Sequence, residues 1–168
     1  SSLFISVTFY QDGRYAFSGS WDDTLKLWDV ATGREIRTFT GHMRGVTSVD
    51  FSPDGRYALS GSWDTTTRIW DIFTGREIAQ FISFIDGEWL VITPEGYYNS
   101  SANGDKHLNV RIGNNVHGID QYRSTFYKPQ IVEAALKTGD AQKAVKDAIG
   151  GEKEKPTFAT IQKIEPPF

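Results

Sequence analysis

Three histidines are the side chains in this sequence best suited to acid–base chemistry or metal binding near neutral pH: His42, His107 and His117. No two of them are four residues apart and no His-Glu-x-x-His motif occurs, so a helical zinc site is not predicted. Asp105 lies two positions before His107, which permits an acid–base pair. A polar side chain at the start of a strand is the simpler interpretation of that pair.

Other motifs of catalytic and ligand sites are missing or are explained by turns. No Gly-x-Ser-x-Gly occurs, and no glycine-rich loop precedes a helix. The 103–105 segment (Asn-Gly-Asp) could suggest calcium but is typical of a tight turn, and 99–101 is a formal glycosylation sequon without a visible secretion signal. The absence of cysteine excludes thiolate sites and disulfides within the chain. We therefore predict no enzyme activity, no catalytic residue, no metal and no cofactor.

Charge and hydropathy narrow the classes of partner. The formal net charge is −3 with only 18 Lys and Arg residues, which argues against nucleic acid and against an anionic membrane surface as partners. No apolar run approaches the about 20 residues needed to span a bilayer, and no signal peptide is visible. The sequence predicts a cytoplasmic protein whose partner is a protein or peptide.

The chain repeats itself at an offset of 42 residues. Between 6–39 and 48–81, 22 of 34 positions are identical, including the Ser-Gly-Ser-Trp-Asp run that contains Trp21 and Trp63. A weaker third copy follows at an offset of 41 and lacks the Trp-Asp pair, with Arg111-Ile112 in its place. Within each repeat, hydrophobicity alternates with period two and glycine-bearing turns recur about every ten residues, which predicts four short antiparallel strands.

Gly41-His42 and the later Trp70-Asp71, at this period, resemble a WD40 repeat. The resemblance implies β-propeller blades, two full and one partial, followed by a short α-helical tail. The fold class is therefore predicted to be all-β with a helical tail. The expected segments are blades at 1–42, 43–84 and 85–113, a connecting loop at 114–128, two short helices within 129–150, and a linker or tail at 151–168.

The resemblance also implies a buried hydrogen-bond relay in each blade. In the second blade it would comprise His42, Ser60, Asp64 and Trp70. The first blade keeps part of it, and the third keeps less, with Ser83 and Arg111 at the His and Trp positions, so the third should be held less firmly. The remaining relay residues are Ser18, Asp22, Trp28, Ser101 and Asp105.

Binding residues of such repeats lie on one face of the ring, just before the relay Asp and at the start of the first strand. Trp21 and Trp63 occupy the first kind of position, where they either anchor a partner or pack between blades. The other candidates for this face are Ile5, Thr47, Leu3 and Gly45, with Gly104, Glu88 and Asp86 in the third blade. Arg44, Lys26 and Arg68 are candidates that flank them.

Three blade units are too few for a closed propeller of about four to eight blades. The open blade faces should therefore be apolar and require cover. We expect either a homo-oligomer that closes one ring or completion by further blades of a larger protein. The expected function is a non-catalytic interaction scaffold. The alternative is the regulatory arm of a caspase-like peptidase or another effector, because 86–113 resembles bacterial multidomain proteins of that design.

Overall fold

The structure is a computed structural model that describes residues 3–150 and the backbone of 159–163. The chain divides into two compact units, Ser1–Ile82 and Ser83–Phe168. The first unit contains the two strong repeats, and the second contains the weak repeat and the helices. Most of the predicted 151–168 linker lies outside the described residues.

Each strong repeat forms four consecutive antiparallel strands. The first comprises β1 (Phe4–Phe9), β2 (Tyr15–Ser20), β3 (Leu25–Asp29) and β4 (Arg34–Phe39). The second comprises β5 (Val46–Phe51), β6 (Tyr57–Ser62), β7 (Thr66–Asp71) and β8 (Glu77–Ser83). We call these the first and second blades. Both have the same register, with a bulge in the first strand before Ser6 or Ser48.

The hydrophobic core of the first unit lies between the two blades. Phe17, Leu25 and Phe39 of the first blade are buried with Val46 and Trp70 of the second. Ring contacts continue across the junction: Phe39 meets Phe17 edge-on at 5.1 Å and Trp70 at 5.9 Å between centroids. Each such side chain contributes about 1.5–3 kcal/mol on burial, so apolar packing is the main force that joins the blades.

The second unit departs from the predicted third blade. β9 (Trp89–Ile92) and β10 (Tyr98–Ser100) pair as expected. β11 (Leu108–Ile112), however, pairs with β12 (Asn115–Gly118) on one edge and β13 (Ala159–Lys163) on the other. A 3-10 turn separates β10 from β11, and both edges of β11 are already occupied. The third repeat is therefore divided, with β9 and β10 in one sheet and β11 in another.

The 114–128 region, predicted to be a connecting loop, contains β12, a second 3-10 turn and a short helix, α1 (Arg123–Phe126). The hairpin from β11 to β12 has a two-residue loop whose first residue, Gly113, has φ +59°. Glycine at that position suits a tight hairpin. The sequence therefore carries a signal for β12 that the repeat-based interpretation overlooks.

The two helices expected within 129–150 are present. α2 (Pro129–Thr138) begins with proline in its first turn and ends at Gly139, which has φ +69°. α3 (Ala141–Ile149) is capped by Asp140, whose carboxylate accepts a hydrogen bond from the Lys143 amide at 2.8 Å. Their apolar faces are buried within the second unit, which the short alanine-rich sequences require for stability.

Candidate functional site

Trp21 and Trp63 stand at the same place in the two blades, in the turn that follows the second strand. Their side chains are 58% and 60% exposed, although Trp21 directly follows a buried strand. The Trp21 amide donates to the Leu3 carbonyl at 3.0 Å, and the Trp63 amide donates to the Gly45 carbonyl at 3.0 Å. These backbone bonds fix each turn while the indole projects outward.

Gly45 connects the two tryptophans. Its Cα lies against the Trp21 indole, where a Cβ would meet the ring at 3.4 Å. Its carbonyl accepts from Trp63, so one residue touches the ring of one tryptophan and the backbone of the other. The two indoles therefore border the same strip of surface, which we call the tryptophan strip. It comprises the exposed indoles of Trp21 and Trp63 around the buried Gly45, with Leu3 (64% exposed) and Arg44 beside it.

The remaining candidate binding residues of the first unit are less exposed or are engaged in contacts within their own blades. Ile5 is 38% exposed, and Thr47 is half-buried with its hydroxyl bonded to the Gly61 carbonyl at 3.1 Å. The Lys26 ammonium pairs with Glu35. Arg68 pairs with the Glu77 carboxylate at 2.6 Å. These cations serve contacts within their own blades.

In the second unit, Asp86 and Glu88 hold a turn together. One Glu88 oxygen accepts from the Ser101 hydroxyl and, at 3.0 Å, from the Asn103 amide. Asp86 accepts from His107 Nε2 at 2.9 Å. The bonds to Ser101 and Asn103 hold the pKa of the Glu88 carboxyl below its usual range. Gly104 is buried, and a Cβ there would fall 2.3 Å from the Trp89 carbonyl, so this position presents no side chain to a partner.

The second blade brings its four relay residues together. His42 Nδ1 lies 2.8 Å from Asp64 Oδ2, and His42 Nε2 lies 2.7 Å from Ser60 Oγ. The Trp70 indole N–H donates to Ser60 Oγ at 2.8 Å. His42, Ser60 and Trp70 are all buried. The chain of contacts runs from one end of the blade to its third strand and leaves each of these polar atoms with a partner.

Among the relay residues, Asp64 has a strongly shifted pKa. Burial alone would raise the pKa of its carboxyl, but hydrogen bonds from His42, Thr66 and the Met43 amide outweigh this and hold the pKa well below its usual range. A charged hydrogen-bond acceptor of this kind is among the stronger polar interactions in a fold.

The first blade has only part of the same arrangement. Trp28 donates to Ser18 Oγ at 2.8 Å, as Trp70 does to Ser60. Asp22 accepts from the amide and hydroxyl of Thr24, at 3.1 and 2.6 Å. Phe4 lies edge-on against the Trp28 ring at 5.9 Å. The position equivalent to His42 would lie just before Ser1, outside the given sequence.

In the second unit, Ser101 and Asp105 belong to different clusters. The Ser101 hydroxyl accepts from the Trp89 amide at 2.8 Å. The buried Asp105 instead pairs with Arg123 at 3.2 Å and lies 3.5 Å from the Tyr98 hydroxyl. Burial, reinforced by the Asp105 charge, raises the pKa of Tyr98 above its usual range. Sequence reasoning missed Arg123, since no local signal links α1 to a turn 18 residues earlier.

His107 does not form an acid–base pair with Asp105. His107 bonds to Asp86 and stacks on Phe84, with ring centroids 3.8 Å apart. Asp105, which its spacing permitted as a partner of His107, is instead paired with Arg123. Across the described ranges, no group of three or more metal-ligating side chains comes together. No helix in the described part of the chain is long and apolar enough to cross a membrane.

Comparison with known families decides the nature of the two blades. The family model "WD domain, G-beta repeat" matches residues 2–29 and 33–71. These two segments are WD40 repeats. The match covers the first blade and most of the second, where the tryptophan strip and the relay lie.

Relatives with the same repeats include the small ribosomal subunit protein RACK1 of Drosophila melanogaster, 60% identical over 37 residues. A probable E3 ubiquitin ligase complex SCF subunit, scon-2 of Neurospora crassa, is 53% identical over 36 residues. Each alignment covers 21% of this chain, and 12% and 6% of the respective relatives. The chain thus matches about one repeat of much longer proteins, one named as a protein of the small ribosomal subunit and the other as a subunit of a ligase complex.

Proposed function

We propose that this chain is a non-catalytic protein-interaction scaffold and that it binds a protein or peptide through the tryptophan strip. The observation that carries the proposal is the exposure of two indoles, at equivalent positions of two WD40 repeats, on either side of Gly45. Tryptophan is enriched among the residues that dominate binding energy, because it buries a large area at low entropic cost. The names of the two relatives place one in the small ribosomal subunit and the other in a ligase complex, which agrees with a scaffold role.

The polar surroundings favour a neutral or weakly acidic ligand segment. Arg44 is the exposed cation beside the strip, whereas Lys26 and Arg68 are paired with acidic residues inside the blades. An apolar anchor in the ligand would pack against the indoles, and a carboxylate or carbonyl near it would meet Arg44.

Selection from a random peptide display library against the full chain tests this proposal. Trp21→Ser and Trp63→Ser should each weaken the binding of a selected peptide at least about tenfold, as expected for loss of an interface anchor. Phe73→Ser is the matched control, because Phe73 is an exposed aromatic residue (69%) of the same unit outside the strip. Selected peptides that bind both tryptophan variants as well as the parent would contradict the proposal.

We further infer that the two blades belong to a β-propeller completed by additional blades, supplied by a second copy or by a larger protein. The support is the row of exposed apolar side chains on β1 and just before it, which includes Leu3, Phe4, Val7 and Phe9. The alternative role, as the regulatory arm of a caspase-like effector, has no observation in the described residues that favours it over the scaffold.

A further inference from the structure

The two tryptophans of the tryptophan strip keep their indole N–H groups available to a ligand. Within the described residues, the Trp21 and Trp63 indoles donate to no protein acceptor. The indoles of Trp28 and Trp70, by contrast, each donate to a serine hydroxyl at 2.8 Å. Because an indole N–H is a donor that finds a partner when it is buried, a ligand that covers the strip should bring an acceptor to each ring.

Gly45 fixes how far apart the two tryptophans stand. A Cβ on Gly45 would lie 3.4 Å from the Trp21 Cα. Gly45 lies opposite Trp63, one position beyond the Val46–Ser62 pair, and is joined to it by a backbone hydrogen bond of 3.0 Å. Residues paired in this way have Cα atoms about 5.5 Å apart, so the Trp21 and Trp63 Cα atoms are separated by no more than roughly 10 Å.

Gly45 also leaves room for a ligand backbone between the two tryptophans. It is buried and has no side chain that could rise between the rings. A ligand that crosses the strip can therefore bring its backbone close to Gly45 while its side chains contact Trp21 on one side and Trp63 on the other.

Three regular peptide conformations can be compared with this spacing. Side chains on one face of an extended strand recur at about 7 and 13 Å. In a polyproline II helix, the same face recurs every three residues, about 9 Å apart. In an α-helix, residues seven apart lie on one face about 10.5 Å apart. The spacing of Trp21 and Trp63 thus fits polyproline II or an α-helix better than a strand.

The available indole N–H groups favour polyproline II over the α-helix. An α-helix uses its backbone carbonyls for its own hydrogen bonds, so it has few to offer along its length. Polyproline II has no internal hydrogen bonds, and its carbonyls are free to accept from an indole. Proline has no amide N–H that would need a partner, and proline-rich segments dock on surfaces lined by aromatic rings.

We propose that the tryptophan strip binds a proline-rich segment in the polyproline II conformation. Two prolines three residues apart pack on the Trp21 and Trp63 rings, and backbone carbonyls of the segment accept from the two indole N–H groups. Arg44, which is exposed beside the strip, favours a carboxylate next to one of the prolines. This inference rests on the proposed function and names the ligand class of the same surface.

The test begins with peptides selected by the full chain from a random display library. We expect the selected sequences to share two prolines with two residues between them. For one such peptide, synthetic variants move the second proline one residue nearer to the first or one residue farther from it. Each variant should bind at least about tenfold more weakly, because one anchor leaves its ring. The protein is unchanged in this comparison, so the result does not depend on how a variant chain folds.

The indole N–H groups provide a second measurement. In nitrogen–proton NMR spectra of the full chain, the Trp21 and Trp63 indole protons should exchange with solvent at least about tenfold more slowly when the peptide is bound. The Trp28 and Trp70 indole protons, which already have serine acceptors, are the matched controls and should change little.

Replacing one tryptophan with phenylalanine separates the hydrogen bond from the ring contact. Trp21→Phe and Trp63→Phe keep an aromatic ring, remove the N–H donor and identify the corresponding indole signals. Each should weaken the binding of the peptide about fivefold, as expected for the loss of one hydrogen bond. Both side chains are exposed, and a thermal melt of each variant checks that its fold is unchanged.

Several results would overturn the proposed ligand class while leaving the proposed function in place. They are selected peptides that depend on both tryptophans but lack the proline pair, equal binding after the second proline is moved, and unchanged exchange of the Trp21 and Trp63 indole protons. Apolar residues seven apart in the selected peptides would assign the strip to an amphipathic helix. Peptides that bind Trp21→Ser and Trp63→Ser as well as the parent, or a selection that yields no peptide, would contradict both the proposed function and this inference.

Discussion

The first and second blades are nearly the same sequence in two different surroundings. Their strands, register and bulges agree, and each places a tryptophan on the tryptophan strip. Within the described residues, the second blade has the histidine that links its aspartate to its serine and has the first blade packed on its outward face, whereas the positions that would serve the first blade in the same way precede Ser1. Trp70 is consequently 1% exposed, whereas the equivalent Trp28 is half-buried. The sequence of a repeat thus determines its strands, but burial of its side chains depends on the blade that precedes it.

The largest expected difference between the blades comes from the relay aspartates. Asp64→Ala should lower the free energy of unfolding by about 1–3 kcal/mol, because it leaves the buried His42 nitrogen and the Met43 amide without their acceptor. Asp22→Ala, the matched change in the first blade, removes contacts to Thr24 at an exposed site and should cost less than about 1 kcal/mol. Urea unfolding of the full chain measures both. Equal costs would show that the histidine adds nothing to the second blade.

The loss of stability at low pH should depend on Asp64 of the second blade. The pKa of Asp64 is lowered in the folded chain from its ordinary 3.8, so its charge stabilises the fold above that pH. This contribution is lost as the pH falls below about 4 towards the folded pKa. The parent should therefore lose stability between about pH 4 and pH 2 more steeply than Asp64→Asn. Thermal melts across this range give the two slopes, and parallel curves would contradict a depressed Asp64 pKa.

The smallest expected effect concerns the turn that carries each exposed tryptophan. Asp23 and Thr65 occupy equivalent positions with φ +69° and +65°. A β-branched residue is poorly suited to this left-handed conformation, whereas aspartate tolerates it. Thr65→Asp should therefore stabilise the second blade by about 0.5–1 kcal/mol, and Asp23→Thr should destabilise the first by a similar amount. Chemical denaturation compares the pair. Opposite signs would show that the threonine side chain offsets the strain.

Much of the first unit can be predicted from the sequence, because its signals are local. Alternating hydrophobicity, the Pro-Asp-Gly turn at 53–55 and the 42-residue offset predict eight strands in two blades. The resemblance to a WD40 repeat indicates the relay of the second blade, and the structure brings its four side chains within hydrogen-bond distance. Exposure of the tryptophans does not follow from the sequence, since the same residue type serves both packing and binding.

The second unit is harder to predict because long-range pairing decides it. The repeat pattern predicts β11 beside β10, but in the structure β11 pairs with β13, at Ile112 with Ala159, 47 residues later in the chain. No local periodicity specifies which of two strands will occupy an edge, since backbone hydrogen bonds are the same for both. The pairing of Asp105 with Arg123 is of the same kind, because it depends on where α1 is placed.

By itself, the sequence determined the repeat, the strands within each blade, the turns and the two capped helices, since these depend on residues close together in the chain. Tertiary structure alone decided two things: that the indoles of Trp21 and Trp63 face outward, and that Asp86 rather than Asp105 is the partner of His107. Each depends on which surfaces meet. Burial lowers the free energy only when two surfaces come into contact. The residue pattern of one surface does not specify which other surface will cover it.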